Sequence, residues 1–142
     1  MKTFLLAATL ASAGAPLLAE GNAAAGEEQF ARQCTACHVV MNDAGETIAG
    51  RNARTGPNLY NVVSRGIGMH PDFNYGDAMM ALGATGATWT EESFVAYVMN
   101  PTDYLRSALG DPRARGKMAY QVRDAQQAAD IFAYLASIDA GL

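Results

Sequence analysis

Cysteine and histidine are scarce in this chain, two of each among 142 residues, and tryptophan occurs once. With no third cysteine, and with His70 the one histidine outside residues 34–38, a tetrahedral zinc site is short of ligands. Lysine is nearly missing too, being confined to Lys2 and Lys117. The formal net charge is -4, which argues against nucleic acid as a partner and against a polybasic membrane anchor. Beyond residues 1–19 no apolar run reaches the length of a bilayer span, so no stable membrane insertion is expected. No repeat, low-complexity tract or linker divides the chain. No catalytic acid–base pair stands near the cysteines, so the chain does not read as an enzyme.

What is present is concentrated. Both cysteines and one histidine fall in Cys34-Thr35-Ala36-Cys37-His38, and C-x-x-C-H is the attachment signature of a c-type haem. Two thiols at this spacing on a short helical turn reach the two vinyl groups on one edge of a haem, and the histidine that follows is placed to ligate the iron. A bare C-x-x-C also suits a disulfide, a thioredoxin-like redox pair or half of a zinc site. A thioredoxin-like motif follows a strand, however, and the stretch upstream of Cys34 reads helical. One haem c, bound covalently through Cys34 and Cys37, is therefore the expected cofactor, with His38 as an iron ligand.

Residues 1–19 carry Lys2, an apolar run from Phe4 to Leu10 and small residues before Leu17-Leu18-Ala19. This is the pattern of a secretory signal peptide, with cleavage expected after Ala19, although Ala13-Gly14-Ala15 also fits the small-x-small rule. Residues 20–142 then form one domain of about 120 residues, a size that buries roughly two-thirds of its unfolded surface. Export agrees with the haem motif, because bacteria attach c-type haem outside the cytoplasm, and it predicts a periplasmic protein.

Asn22 to Gln33 reads as a helix capped by Asn22 and anchored by Phe30, delivering the chain into Cys34. Residues 42–54 read as a surface loop and 62–75 as irregular chain, with a short helix from Asp77 to Leu82. Thr90 caps a helix that runs to Asn100, Pro101 interrupts it, and a second short helix spans Thr102 to Leu109 with Thr102 as its cap. Asp124 with Gln127 makes a box-like cap for a last helix whose Ala128, Ile131, Phe132, Leu135 and Ile138 repeat at helical spacing. Its apolar stripe has the Phe30 helix as its obvious partner, so the two terminal helices should pack together and close a crevice.

Three positions near the motif stay open on spacing alone. Pro57 offers a carbonyl with no N–H to compete, which suits the second ring nitrogen of a ligating histidine, yet Gly56-Pro57 also suits a plain turn. A second axial ligand is sought among seven methionines. Met118 stands in a glycine-flanked loop that can lie over the haem, while Met69, Met79 and Met80 also qualify, and each has a core role as its alternative. His70, between Met69 and Pro71, reads as a solvated side chain rather than a ligand. The indole N–H of Trp89 wants an acceptor, and a haem propionate would serve.

From Gly21 onward the chain resembles a class I c-type cytochrome, most closely the periplasmic cytochrome c2 type. The resemblance is carried by Cys34-x-x-Cys37-His38, Thr55-Gly56-Pro57-Asn58-Leu59-Tyr60, Phe73-Asn74-Tyr75, Trp89-Thr90-Glu91-Glu92, Tyr97 with Asn100-Pro101, Gly116-Lys117-Met118 and Ile131-Phe132-Ala133-Tyr134-Leu135. It implies an all-α fold with N- and C-terminal helices packed around one covalent haem. It further implies Met118 as sixth ligand, Pro57 as the carbonyl partner of His38, Arg65, Tyr75 and Trp89 at propionate-binding positions, and Tyr97 beside the ligand sulfur. The function implied is a soluble, monomeric one-electron carrier between membrane redox complexes, from a cytochrome bc1 complex to a photosynthetic reaction centre or a terminal cytochrome c oxidase. The contrasting class is a haem enzyme or gas-binding sensor with an open sixth position. One departure stands out: members of this type ring the haem edge with lysines, where residues 20–142 have only Lys117 and the arginines at 32, 51, 54, 106, 113 and 115 as candidate substitutes.

Overall fold

A computed structural model describes residues 20–141, so the leader expected at 1–19 lies outside the described residues. Among the described residues the order is α1 (Ala23–Gln33), β1 (Val40–Met41), β2 (Thr47–Ala49), α2 (Asp77–Gly83), α3 (Glu91–Met99), α4 (Pro101–Leu109) and α5 (Ala125–Asp139). Helices α1 and α5 pack against each other, and α3 packs against α5 from another side.

The α1–α5 contact begins at a cap. The Asn22 side chain accepts the Ala25 N–H at 3.0 Å, and its own N–H donates to Asp130 Oδ1 on α5 at 2.8 Å. Phe30 is 1% exposed, and its ring centroid lies 5.6 Å from that of Tyr134. Between these points the backbones come so close that a Cβ on Gly26 would run into the Asp130 carbonyl oxygen, and one on Gly21 into that of Ala129. Hydrogen is the only side chain that permits this crossing.

Helix starts follow local chemistry, with two differences from the sequence reading. Thr90 and Ser93 form a reciprocal capping box at α3, with N–H donors reaching hydroxyls at 3.2 and 2.9 Å. Helix α4 is capped by Asn100 rather than Thr102. Pro101 has no N–H to leave unpaired in the first turn, so it starts the helix instead of blocking it, and Asn100 Oδ1 takes the Asp103 N–H at 3.3 Å. Asp124 caps α5 through the Gln127 N–H at 2.8 Å. The reciprocal half of that box is absent, because Gln127 Oε1 accepts from Gln33 Nε2 on α1 at 2.8 Å.

Residues 42–54, expected as loop, contribute instead to a small antiparallel ribbon in which Val40 pairs with Ala49 and Met41 with Thr47. Asn42 Oδ1 gathers the Ala44 and Glu46 N–H groups at 3.1 and 2.9 Å, and Gly45 takes φ +82°, which closes the turn. Strands of two and three residues are too short to show alternation in sequence. The fold remains helical, with its N- and C-terminal helices packed together as expected.

At its far end α5 holds the 60s turn. Asp139 Oδ2 accepts the Val63 and Ser64 N–H groups at 2.9 and 3.1 Å. Alanine at position 26 gains about 1 kcal/mol of helix propensity over glycine, but separating packed backbones costs about 1–3 kcal/mol. The Asp130 carbonyl cannot move away as a flexible side chain would, so the collision should win. Gly26→Ala is expected to destabilise by up to about 2 kcal/mol net, read as a lower urea midpoint at unchanged slope. An unchanged midpoint would mean that the two helices separate freely.

Candidate cofactor site

Helix α1 runs on into the motif. The Cys34 N–H donates to Phe30 O at 2.9 Å, and the Cys37 and His38 N–H groups donate to Cys34 O at 3.1 and 2.9 Å. The five residues thus form a tight turn on the end of a helix anchored by the buried Phe30. No disulfide joins Cys34 to Cys37. Burial, and secondarily the nearby Cys37, push the Cys34 thiol up to about 12.

The chain from Gly56 to Leu59 passes beside the motif, with the Gly56 N–H on Cys37 O at 2.8 Å and the Leu59 N–H on Val39 O at 2.9 Å. This register brings Pro57 O to 2.9 Å from His38 Nδ1. A neutral imidazole with its proton on Nδ1 donates to that carbonyl and keeps a lone pair on Nε2. Burial lowers the His38 pKa below its ordinary value, and the Pro57 bond opposes this only in part. A Cβ on Gly56 would lie 2.6 Å from His38 Nδ1, so glycine lets the imidazole lie flat against the chain. Asn58 stiffens the same segment, accepting the Met41 N–H at 3.0 Å and donating to Met41 O at 2.7 Å. Sequence reasoning assigned Asn58 no such role, since it depends on the ribbon.

These residues form one wall of a cavity of about 440 Å³. Leu59, Trp89, Tyr97 and Leu135 line it, as do Met79 and Met118. Met69 and Met80 are 61% and 47% exposed and do not line it, which leaves Met79 and Met118 of the four methionines that spacing allowed. His70 stands outside the lining, its Nδ1 accepting the Asp72 N–H at 3.2 Å.

Trp89 is buried, with ring centroids of Tyr97 and Tyr104 at 5.0 and 6.0 Å. Arg65, at the cavity edge, donates to Tyr60 O at 2.8 Å and Asn58 O at 3.1 Å. Tyr75 also lines the cavity; burial raises its pKa while Arg65 pulls it down. Burial, with Tyr75 second, raises the Tyr97 phenol well above its ordinary value, so Tyr97 stays a neutral donor.

The arginines divide. Arg32 and Arg115 line the cavity together with Lys117, whereas Arg51, Arg54, Arg106 and Arg113 do not. Arg106 is turned onto Ala114 O and Asp103, and Arg113 lies 3.6 Å from Asp111.

The donor set itself tests what fits. Among the described residues no group of three His, Cys, Asp or Glu side chains could hold a metal ion. One imidazole, two thiols and methionine sulfurs around a largely apolar cavity suit instead an iron that brings its own equatorial nitrogens and is tethered through its macrocycle. These residues fit a haem c.

Comparison with known proteins agrees. The cytochrome c family profile matches residues 23–139. The chain is 56% identical to cytochrome c2 of Rhodovulum adriaticum over 118 residues, covering 83% of this chain and 93% of that one. It is 44% identical to cytochrome c2 of Rhodobacter capsulatus over 140 residues, covering 97% and 98%. The solved structure of cytochrome c2 from Rhodobacter sphaeroides superposes with a TM-score of 0.80 at 49% identity, covering 83% of this chain and 96% of that one.

A histidine whose folded pKa is lowered binds its proton more tightly when unfolded, so acidification through the unfolded value favours unfolding. In a His70→Gln background, which leaves His38 as the one histidine, the unfolding free energy should fall from pH 7.5 to 5.5. The slope should not exceed about 1.4 kcal/mol per pH unit, the limit for one proton. Urea midpoints that rise over that interval would contradict the burial of a neutral His38.

Proposed function

The chain belongs to the cytochrome c family, whose members carry a covalent haem c, and from that premise we propose that it is a one-electron carrier whose iron is closed on both sides by His38 and Met118. What supports this most is that these two residues, far apart in sequence, line the same cavity. A haem supplies an iron that cycles between ferric and ferrous states, and a neutral thioether sulfur as sixth ligand favours the ferrous one.

The chain's own residues do the rest. Cys34 and Cys37 tether the macrocycle through thioethers, and α1 fixes where that tether sits. Pro57 O takes the Nδ1 proton of His38, orienting the ring and raising its basicity. Arg65, Tyr75 and Trp89 serve the propionates from the cavity lining, and the neutral Tyr97 hydroxyl stands by the Met118 sulfur. The apolar walls from Leu59 to Leu135 exclude water, so that charge on the iron is felt strongly.

The carrier works in the periplasm after removal of residues 1–19, taking electrons from a cytochrome bc1 complex and passing them to a photosynthetic reaction centre or a terminal oxidase. Its docking charge is arginine-based and smaller than the sequence suggested, with Arg32, Arg115 and Lys117 at the cavity mouth. Guanidinium forks suit partner carboxylates.

With both axial positions filled, the ferrous protein should resist carbon monoxide at neutral pH, and Met118→Ala should bind it readily with a changed visible spectrum. Ready binding by the unaltered protein would favour the gas-sensor or enzyme class instead. Electron transfer to an acidic partner should slow as ionic strength rises, and Arg115→Gln should flatten that dependence. A stopped-flow rate indifferent to salt would remove the docking assignment.

A further inference from the structure

The segment carrying Met118 has no regular structure, yet hydrogen bonds hold it at several points. The Gly116 N–H donates to Thr102 Oγ1 at 3.1 Å, and the Val122 N–H donates to Val98 O at 2.9 Å. On one side of Met118, Lys117 Nζ reaches Asn74 O at 2.5 Å and stands 5.9 Å from the Phe73 ring centroid. On the other side, Tyr120 donates its hydroxyl to Gln33 Oε1 at 3.1 Å. Gln33 is the last residue of α1 and directly precedes Cys34.

The direction of that last bond is settled by its neighbours. Gln33 Nε2 donates to Gln29 Oε1 at 2.9 Å and to Gln127 Oε1 at 2.8 Å. Both amide protons are thereby committed, so the remaining Oε1 can only accept and Tyr120 must donate. The relay Tyr120–Gln33–Gln127 joins the Met118 segment to α1 and α5 at once. Tyr120 is 48% exposed, so burial of its ring is not what holds it in place. The hydroxyl is its specific attachment.

We infer that Tyr120 is a positioning residue that latches the Met118 segment shut over the cavity. The hydroxyl bond to Gln33 ties the sixth-ligand loop to the helix bearing the haem tether. This rests on the reading of Met118 as the sixth ligand. When the latch parts, the segment swings on its Gly116 and Val122 anchors and Met118 withdraws. The global fold stays intact, because the α1–α5 crossing at Gly26 does not involve Tyr120.

The test is the rate at which imidazole binds the ferric holoprotein, since an added ligand enters only while the Met118 segment is open. Tyr120→Phe keeps the ring and leaves the attachment motif untouched. Removing one such hydrogen bond should speed entry about three- to tenfold. Gln33→Leu should give at least as large a rise, since it also breaks the bonds to Gln29 and Gln127, and the double variant no more than Gln33→Leu alone, because the Tyr120–Gln33 bond is already lost there. Gly26→Ala, which weakens the α1–α5 crossing but leaves the Tyr120 bond in place, should lower the urea midpoint without speeding entry, which separates a local latch from a general loss of stability. Entry within about twofold of wild type, rates that multiply in the double variant, or entry speeded as much by Gly26→Ala as by Tyr120→Phe would each overturn the latch. Met118→Ala serves as the reference. If it takes up imidazole no faster than wild type, the ligand assignment itself fails; if it is much faster while Tyr120→Phe is not, only the latch fails.

Discussion

The close crossing of α1 and α5 is the constraint on which the rest of the structure depends. At Gly26 the two backbones meet with no room for a side chain, and the Asn22 N–H reaches across to Asp130. Because α1 ends at Gln33 and the motif turn starts at Cys34, any slide along this crossing would move both thiols and His38. Because α5 also brings Ile131 and Leu135 to the cavity, the same slide would reshape the opposite wall. One contact between chain ends thus sets the frame in which the cofactor is held.

The two sides of the cavity are built differently. The His38 side is dense with backbone bonds: Gly56 to Cys37, Leu59 to Val39, Pro57 to the imidazole, and Asn58 to Met41. The Met118 side is an irregular strap held at separated points. A proximal wall this stiff fixes imidazole orientation, whereas the strap gains its order from contacts at its edges. Segments with few buried contacts open at lower free energy than the core around them, so the methionine side is where departures from the closed state should begin.

Much of this was legible in the chain. C-x-x-C-H, the helical spacing of α5 and the Phe30 anchor of α1 each rest on neighbours in sequence, and the terminal pair followed from two unpartnered apolar stripes. What escaped notice depended on partners far away. Nothing in the residues around Gly26 marks that the Asp130 carbonyl lies against it. Gln127 resembled half of a capping box, but Gln33 offered its side chain a better partner. Thr102 suited a cap, yet Pro101 began the helix ahead of it and the Thr102 hydroxyl went to Gly116. Of the six arginines considered as docking charge, only Arg32 and Arg115 line the cavity, and Arg32 also pairs with Glu28 at 3.4 Å.

By itself the sequence determined which two thiols stand at the spacing of a haem attachment motif and which imidazole follows them, and with that a haem c rather than a bare ion. Those follow from residue type and local spacing, which the chain carries whether folded or not. Only the tertiary structure decided the distance from His38 to Pro57, the exclusion of Met69 and Met80 from the cavity, and the bond between Tyr120 and Gln33. Each joins segments remote in sequence, and their approach is set by how closely α1 and α5 can cross, a packing limit that no local pattern records.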